Sequence, residues 1–169
     1  MKRSVILFPS FPDLGAIQSI REKYDPLANY IAPHITIVFP FESDWPLGAL
    51  KAHFDDALKG VKKFPVLLKD FTGDFRDGYL FLNVKKGNDQ IIELHDRLYC
   101  GILEPFLVRK ATYCPHLTVG RLLDPIAFDK AASALPCYGG SFETVIDKVY
   151  VETIGADGKS DVEFAFELE

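Results

Sequence analysis

Two short segments hold the residue types from which chemistry can be built. Pro33-His34-Ile35-Thr36-Ile37 recurs 82 residues later as Pro115-His116-Leu117-Thr118-Val119. On an extended chain, residues i and i+2 share a face about 6.5–7 Å apart. His34 and Thr36 should therefore look one way, with Ile35 and Ile37 looking the other. His116 and Thr118 should do the same, backed by Leu117 and Val119. Two such strands brought together would give a cleft holding two imidazoles and two hydroxyls. Imidazoles that titrate near neutrality can act as base and acid in one turnover. Threonine hydroxyls can donate to the non-bridging oxygens of a phosphate. The reaction this set fits is phosphodiester transfer. One histidine would take a proton from water or a ribose hydroxyl, and the other would protonate the leaving oxygen. No His/Asp cluster has metal-ligand spacing, so neither a metal nor another cofactor is expected.

The elements that must position these residues follow from hydrophobic period and punctuation. Lys2 to Phe8 reads as a buried strand stopped by Pro9 and Pro12. Leu14 to Tyr24 has apolar residues at helical spacing and ends before Asp25-Pro26. Ile35 to Phe39 is a strand. Ser43 or Asp44 could cap a helix running to about Lys59-Gly60, with Pro46 in its first turn. Phe64 to Phe71 and Tyr79 to Val84 are strands, and Asn88 begins a helix ending near Gly101. Leu117 to Leu122 is a strand, followed by a helix capped by Asp124 with Pro125 at its first position. Ser141 to Thr153 has strand character, with a break conceivable inside it. Val162 to Leu168 closes the chain after a turn at Gly155 to Lys159. Seven or eight strands mixed with four helices, without a regular βαβ beat, predict an α+β fold with mostly antiparallel sheets.

Composition limits what the chain can be. It has 169 residues, of which 48% are apolar. Such a chain can bury enough surface to offset its ordering entropy, which excludes intrinsic disorder. No linker divides it, so residues 1–169 are expected to form one domain. The formal net charge of −5 argues against gripping long duplex nucleic acid by phosphate neutralisation. A nucleic-acid partner should therefore be a nucleotide or a short RNA end. The apolar run after Met-Lys-Arg-Ser stops at Pro9, too short for a secretory signal, and no segment is long enough to span a membrane. Cys100, Cys114 and Cys137 are widely spaced and odd in number, unlike a disulfide framework. A reduced, cytoplasmic protein with its cysteines mostly buried is expected; oligomeric state is not readable.

The paired motifs resemble those of the 2H phosphoesterase superfamily, whose members include 2′-5′ RNA ligase-like proteins and cyclic phosphodiesterases. Leu7-Phe8-Pro9-Ser10, the stretch from Arg21 to Tyr24-Asp25-Pro26, the proline before each histidine and Gly120-Arg121 extend the likeness to short bacterial phosphoesterases. The resemblance implies a bilobal fold with pseudo-two-fold symmetry, helices on the outside and a cleft between the lobes. It also implies metal-independent hydrolysis or reversible ligation at 2′,3′-cyclic or 2′-5′ phosphodiester ends. By position, His34 and His116 would be the acid/base pair, and Thr36 and Thr118 the phosphate ligands. Arg121 is a candidate phosphate neighbour. The first motif is followed by Val38-Phe39, with no basic counterpart.

Plainer readings stand beside these. Each motif histidine alone could be a half-buried strand residue bonded to backbone, and each threonine a β-former. His53 and His95 read as solvated helix residues. Arg21, Lys23, Arg109 and Lys110 read as surface charges, with contact to an RNA end as the alternative. Tyr30 and Tyr113 could stack on a base, but strand-edge packing is the better reading. Asp70, Asp74 and Asp77 belong to turn chemistry. In function, a phosphodiesterase competes with a module that binds a nucleotide or RNA end with little turnover, and with metal-dependent hydrolysis.

Overall fold

The computed structural model describes residues 1–169. Strands are β1 (Lys2–Leu7), β2 (Ile35–Glu42), β3 (Phe64–Asp74), β4 (Tyr79–Lys86), β5 (His116–Arg121), β6 (Ser141–Ile146), β7 (Lys148–Ile154) and β8 (Ser160–Glu167). Helices are α1 (Leu14–Tyr24), α2 (Leu47–Ala57), α3 (Asn88–Leu98) and α4 (Pro125–Ala134). Two 3₁₀ segments, Gly101–Phe106 and Leu135–Tyr138, lie where the sequence showed no element.

The strands form two antiparallel sheets, ordered β2-β1-β7-β8 and β5-β4-β3-β6. The fold is α+β with pseudo-two-fold symmetry: β1-α1-β2-α2 in the first half corresponds to β4-α3-β5-α4 in the second. The helices cross between the halves. Pro9 and Pro12 turn the chain out of β1, and α1 then packs against β5 of the other sheet. The chain leaving β4 sends α3 back against β2. Each motif strand is thus supported by a helix from the opposite half. One hydrophobic core runs through both, including Ile17, Ile20, Ile35, Ile37, Leu94, Leu117 and Val119.

Local signals explain most boundaries. Asp124 Oδ1 accepts from the Ala127 amide at 2.7 Å, the cap expected for α4. The cap expected for α2 does not form: neither Ser43 nor Asp44 bonds its first turn, and Pro46 stands at the cap position. Asp44 instead lies 3.7 Å from the N-terminal ammonium. The strand character over Ser141 to Thr153 resolves into β6 and β7, which belong to different sheets; Asp147 alone separates them.

Candidate active site

β2 and β5 are edge strands of their two sheets and lie against one another. Ile35, Ile37, Leu117 and Val119 are fully buried in the core. The alternation this imposes puts His34, Thr36, His116 and Thr118 on the opposite, half-buried faces. The structure thus brings the two motifs together at the junction of the lobes.

The two histidines are held alike. His34 Nδ1 lies 2.9 Å from the Ala32 carbonyl, and His116 Nδ1 lies 2.7 Å from the Cys114 carbonyl. A carbonyl oxygen only accepts, so each Nδ1 carries the proton and donates. Each Nε2 is left as the group that can gain or lose a proton. No side-chain nitrogen or oxygen in the chain is both buried and unpartnered. The two Nε2 atoms and the two threonine hydroxyls, which have no protein partner, therefore open to solvent. Desolvation pulls the pKa of both histidines below the usual imidazole value. At His34 the Ala32 carbonyl, Glu152 and Asp25 act the other way, while Arg21 lowers it further. At His116 only the Cys114 carbonyl opposes desolvation.

A β-bulge follows each threonine. Thr118 pairs with Phe81, yet Gly120 pairs with the adjacent Leu80. The extra residue reverses the alternation, so Arg121, opposite Tyr79, joins the face of His116 and Thr118. Its guanidinium lies 5.0 Å from the Tyr79 ring centroid. Tyr79 and Phe81 are nearly parallel, 5.9 Å apart, and Phe81 lies 4.2 Å from His116. Gly120 is required here, because a Cβ would come within 2.9 Å of the Tyr24 Cβ on α1. β2 repeats the device: Thr36 pairs with Ile6 and Val38 with the adjacent Val5. The same parity puts Phe39 where the second half has Arg121.

The supports beneath the motifs were mostly invisible in the sequence. Arg21 is not a surface charge but is 1% exposed. Its Nε donates to Asp25 at 2.9 Å and its Nη1 to the Ile31 carbonyl at 2.8 Å, fixing the loop that leads into His34. A buried carboxylate, Glu152, accepts from the Ser4 and Ser160 hydroxyls and lies close enough to His34 to influence it. Only one acid inside an apolar strand hinted at it. His95 is buried, not solvated; its ring stacks on Tyr113 with centroids 4.0 Å apart. His53 is half-buried and donates from Nε2 to the Leu98 carbonyl at 2.9 Å.

Tyr113 does pack at a strand edge: its hydroxyl donates to the Thr36 carbonyl at 2.8 Å. Tyr30 is exposed, and its carbonyl accepts from the Ser160 amide. Lys23, Arg109 and Lys110 are exposed. Asp74 caps its turn by accepting from the Arg76 amide at 2.9 Å. All three cysteines are free and exposed, not buried, because they fall at a helix end and in connecting segments rather than on core faces.

A profile of the 2′-5′ RNA ligase superfamily matches residues 9–158. A curated Bacillus licheniformis relative named "Putative phosphoesterase" is 26% identical over 152 residues, covering 89% of each chain. E. coli LigT, solved in complex with 3′-AMP, superposes with a TM-score of 0.67 at 14% identity, over 99% of this chain and 97% of that one. LigT has also been solved with ATP and with NADP+. TT0787 of Thermus thermophilus superposes with a TM-score of 0.69 at 15% identity, over 99% and 98%.

Proposed function

Since the chain belongs to the 2′-5′ RNA ligase superfamily and is a phosphoesterase within it, we propose that it hydrolyses 2′,3′-cyclic phosphate or 2′-5′ phosphodiester ends of nucleotides or short RNA without a metal. The observation that carries this reading is the set of four open polar groups, two imidazole Nε2 atoms and two threonine hydroxyls, at adjoining sheet edges. The nucleotides in the LigT structures point to the same ligand class. The free cysteines suit a cytoplasmic location, and no helix is long and apolar enough to cross a membrane.

The chemistry follows from the histidine tautomers. A neutral imidazole takes a proton from water through Nε2, and the water oxygen bonds to phosphorus. The bond from phosphorus to one ribose oxygen breaks, and the imidazolium of the second histidine delivers its Nε2 proton to that oxygen. The product is a phosphomonoester, and solvent exchange restores the starting protonation. Thr36 and Thr118 donate to the non-bridging oxygens, and Arg121 supplies a positive charge on the same face. Desolvation lowers the pKa of both rings, and the two carry an equivalent Nδ1 bond to backbone, so either can serve as the base while the other, protonated, serves as the acid.

The test is hydrolysis of 2′,3′-cyclic nucleotides, 2′-5′ dinucleotides and ADP-ribose cyclic phosphate in the presence of EDTA, with the retained phosphate position identified. Turnover that survives chelation supports the reading. Turnover abolished by EDTA, or nucleotide binding with no turnover on any of these substrates, overturns it. Arg121→Met should raise KM about tenfold, since one charge-assisted contact is lost.

A further inference from the structure

An edge strand leaves one row of backbone groups without a strand partner. On β2, two groups from that row are met by phenols. The Phe39 amide donates to the Tyr99 hydroxyl at 3.0 Å, and the Thr36 carbonyl accepts from the Tyr113 hydroxyl at 2.8 Å. The two bonds differ in what they connect. Tyr99 ends α3, which packs on β2 itself, so its bond stays beside one motif. Tyr113 stands three residues before His116, at the entry to β5. Its bond runs from the chain just ahead of the second motif to the backbone of Thr36 in the first.

This bond is built to be stiff. The Tyr113 ring lies face to face with His95, at an interplanar angle of 11°, and His95 also touches Tyr99 with centroids 4.7 Å apart. Burial pushes the Tyr113 hydroxyl pKa far upward, so it stays a donor across the working pH range. The ring cannot swing without disrupting the stack, and the hydroxyl cannot release Thr36 without stranding a half-buried carbonyl. We propose that Tyr113 is a positioning residue that sets the separation of the two histidines by tying the entry of β5 to the backbone of Thr36. The proposal rests on the two-histidine reading above; Tyr113 itself need not touch substrate.

Tyr113→Phe keeps the ring and its stack and deletes only the tether. With 2′,3′-cyclic AMP it should lower kcat on the order of tenfold to a hundredfold, since small displacements of reacting groups cost that much, with KM changed less than twofold. Tyr99→Phe deletes a comparable phenol bond to β2 that comes from the end of α3 and not from the entry of β5, and should leave kcat unchanged. An unchanged kcat in Tyr113→Phe, or equal losses in both variants, would overturn the proposal. If the wild type proves inactive, the two-histidine reading fails while the tether is still read by NMR titration with 3′-AMP. The His34 and His116 ring signals should then respond together in the wild type and separate in Tyr113→Phe. Identical titrations would overturn the tether independently.

Discussion

The two motif strands are near copies in backbone and unlike in their surroundings. Both histidines donate from Nδ1 to the carbonyl two residues earlier, and both threonines are followed by a bulge. Around His34, however, stand the charges of Glu152, Asp25 and Arg21, whereas His116 leans on the ring of Phe81. After the bulge the first half presents Phe39 and the second Arg121. The shared features set where a proton can be held. In the proposed mechanism the unshared ones would let two identical side chains take opposite roles, because protonation depends on local charge and desolvation more than on residue type.

The comparison breaks most sharply if either histidine is removed. His34→Ala and His116→Ala should each lower kcat by on the order of 10²–10⁴-fold, the usual worth of a general acid or base. The double variant should be little worse than either single one, because the pair works as a unit. Steady-state rates on a 2′,3′-cyclic nucleotide check this; simple multiplication of the two losses would mean that the histidines act independently.

The next effect concerns how each motif is approached. The loop into His34 is anchored by a buried cation, and the segment into His116 by a tyrosine. Arg21→Leu would leave the Asp25 carboxylate buried without its ion pair and the Ile31 carbonyl without its donor. The expected loss is about 3–5 kcal/mol, read as a lower urea midpoint. Disruption should reach His34 before His116 in NMR spectra, since the freed loop leads into the first motif. Equal disturbance at both histidines would show that the anchors are shared.

What the sequence revealed and what it hid divide along the same line. The motif faces were legible because Ile35, Ile37, Leu117 and Val119 alternate with polar partners, and burial enforces that alternation. Pro9, Pro12 and the Asp124 cap made several boundaries legible by local chemistry. The first bulge was not legible, since parity reverses at Ile37-Val38 without any change in residue class; at the second the one signal was Gly120, a glycine inside a strand. Arg21, Glu152 and His95 were misread or missed for a related reason. Their burial depends on partners 4 to 148 residues away, and helical or strand period carries no record of such partners.

Gly120 tests whether the bulge is what places Arg121. Its counterpart in the first half is Val38, which carries a side chain into the core, while Gly120 yields that space to Tyr24 of α1. Gly120→Ala should cost about 1–3 kcal/mol through overpacking and displace Arg121. KM for the cyclic nucleotide should therefore rise alongside the loss of stability. A destabilised variant with unchanged KM would separate the bulge from substrate binding, and Val38→Gly should show no such coupling.

The smallest effect is the pH response, and it separates activity from stability. Desolvation lowers both imidazole pKa values from the usual 6.5. The active form needs one neutral and one protonated ring, so kcat/KM should follow a bell whose maximum lies on the acid side of pH 6.5. Rates should fall toward pH 8 as the remaining imidazolium is lost. Stability should run the other way. A histidine buried in its neutral form binds fewer protons when folded than when unfolded. Its contribution is therefore fully present above the unfolded pKa near 6.5, and is lost as pH falls through the lower folded value. Moving from pH 7.5 to pH 5 should then lower the urea midpoint over the window in which turnover rises. His34→Gln/His116→Gln should flatten that part of the stability change. An activity maximum at or above pH 7, or a stability slope unaltered in the double variant, would mean that the two rings are not held neutral by burial.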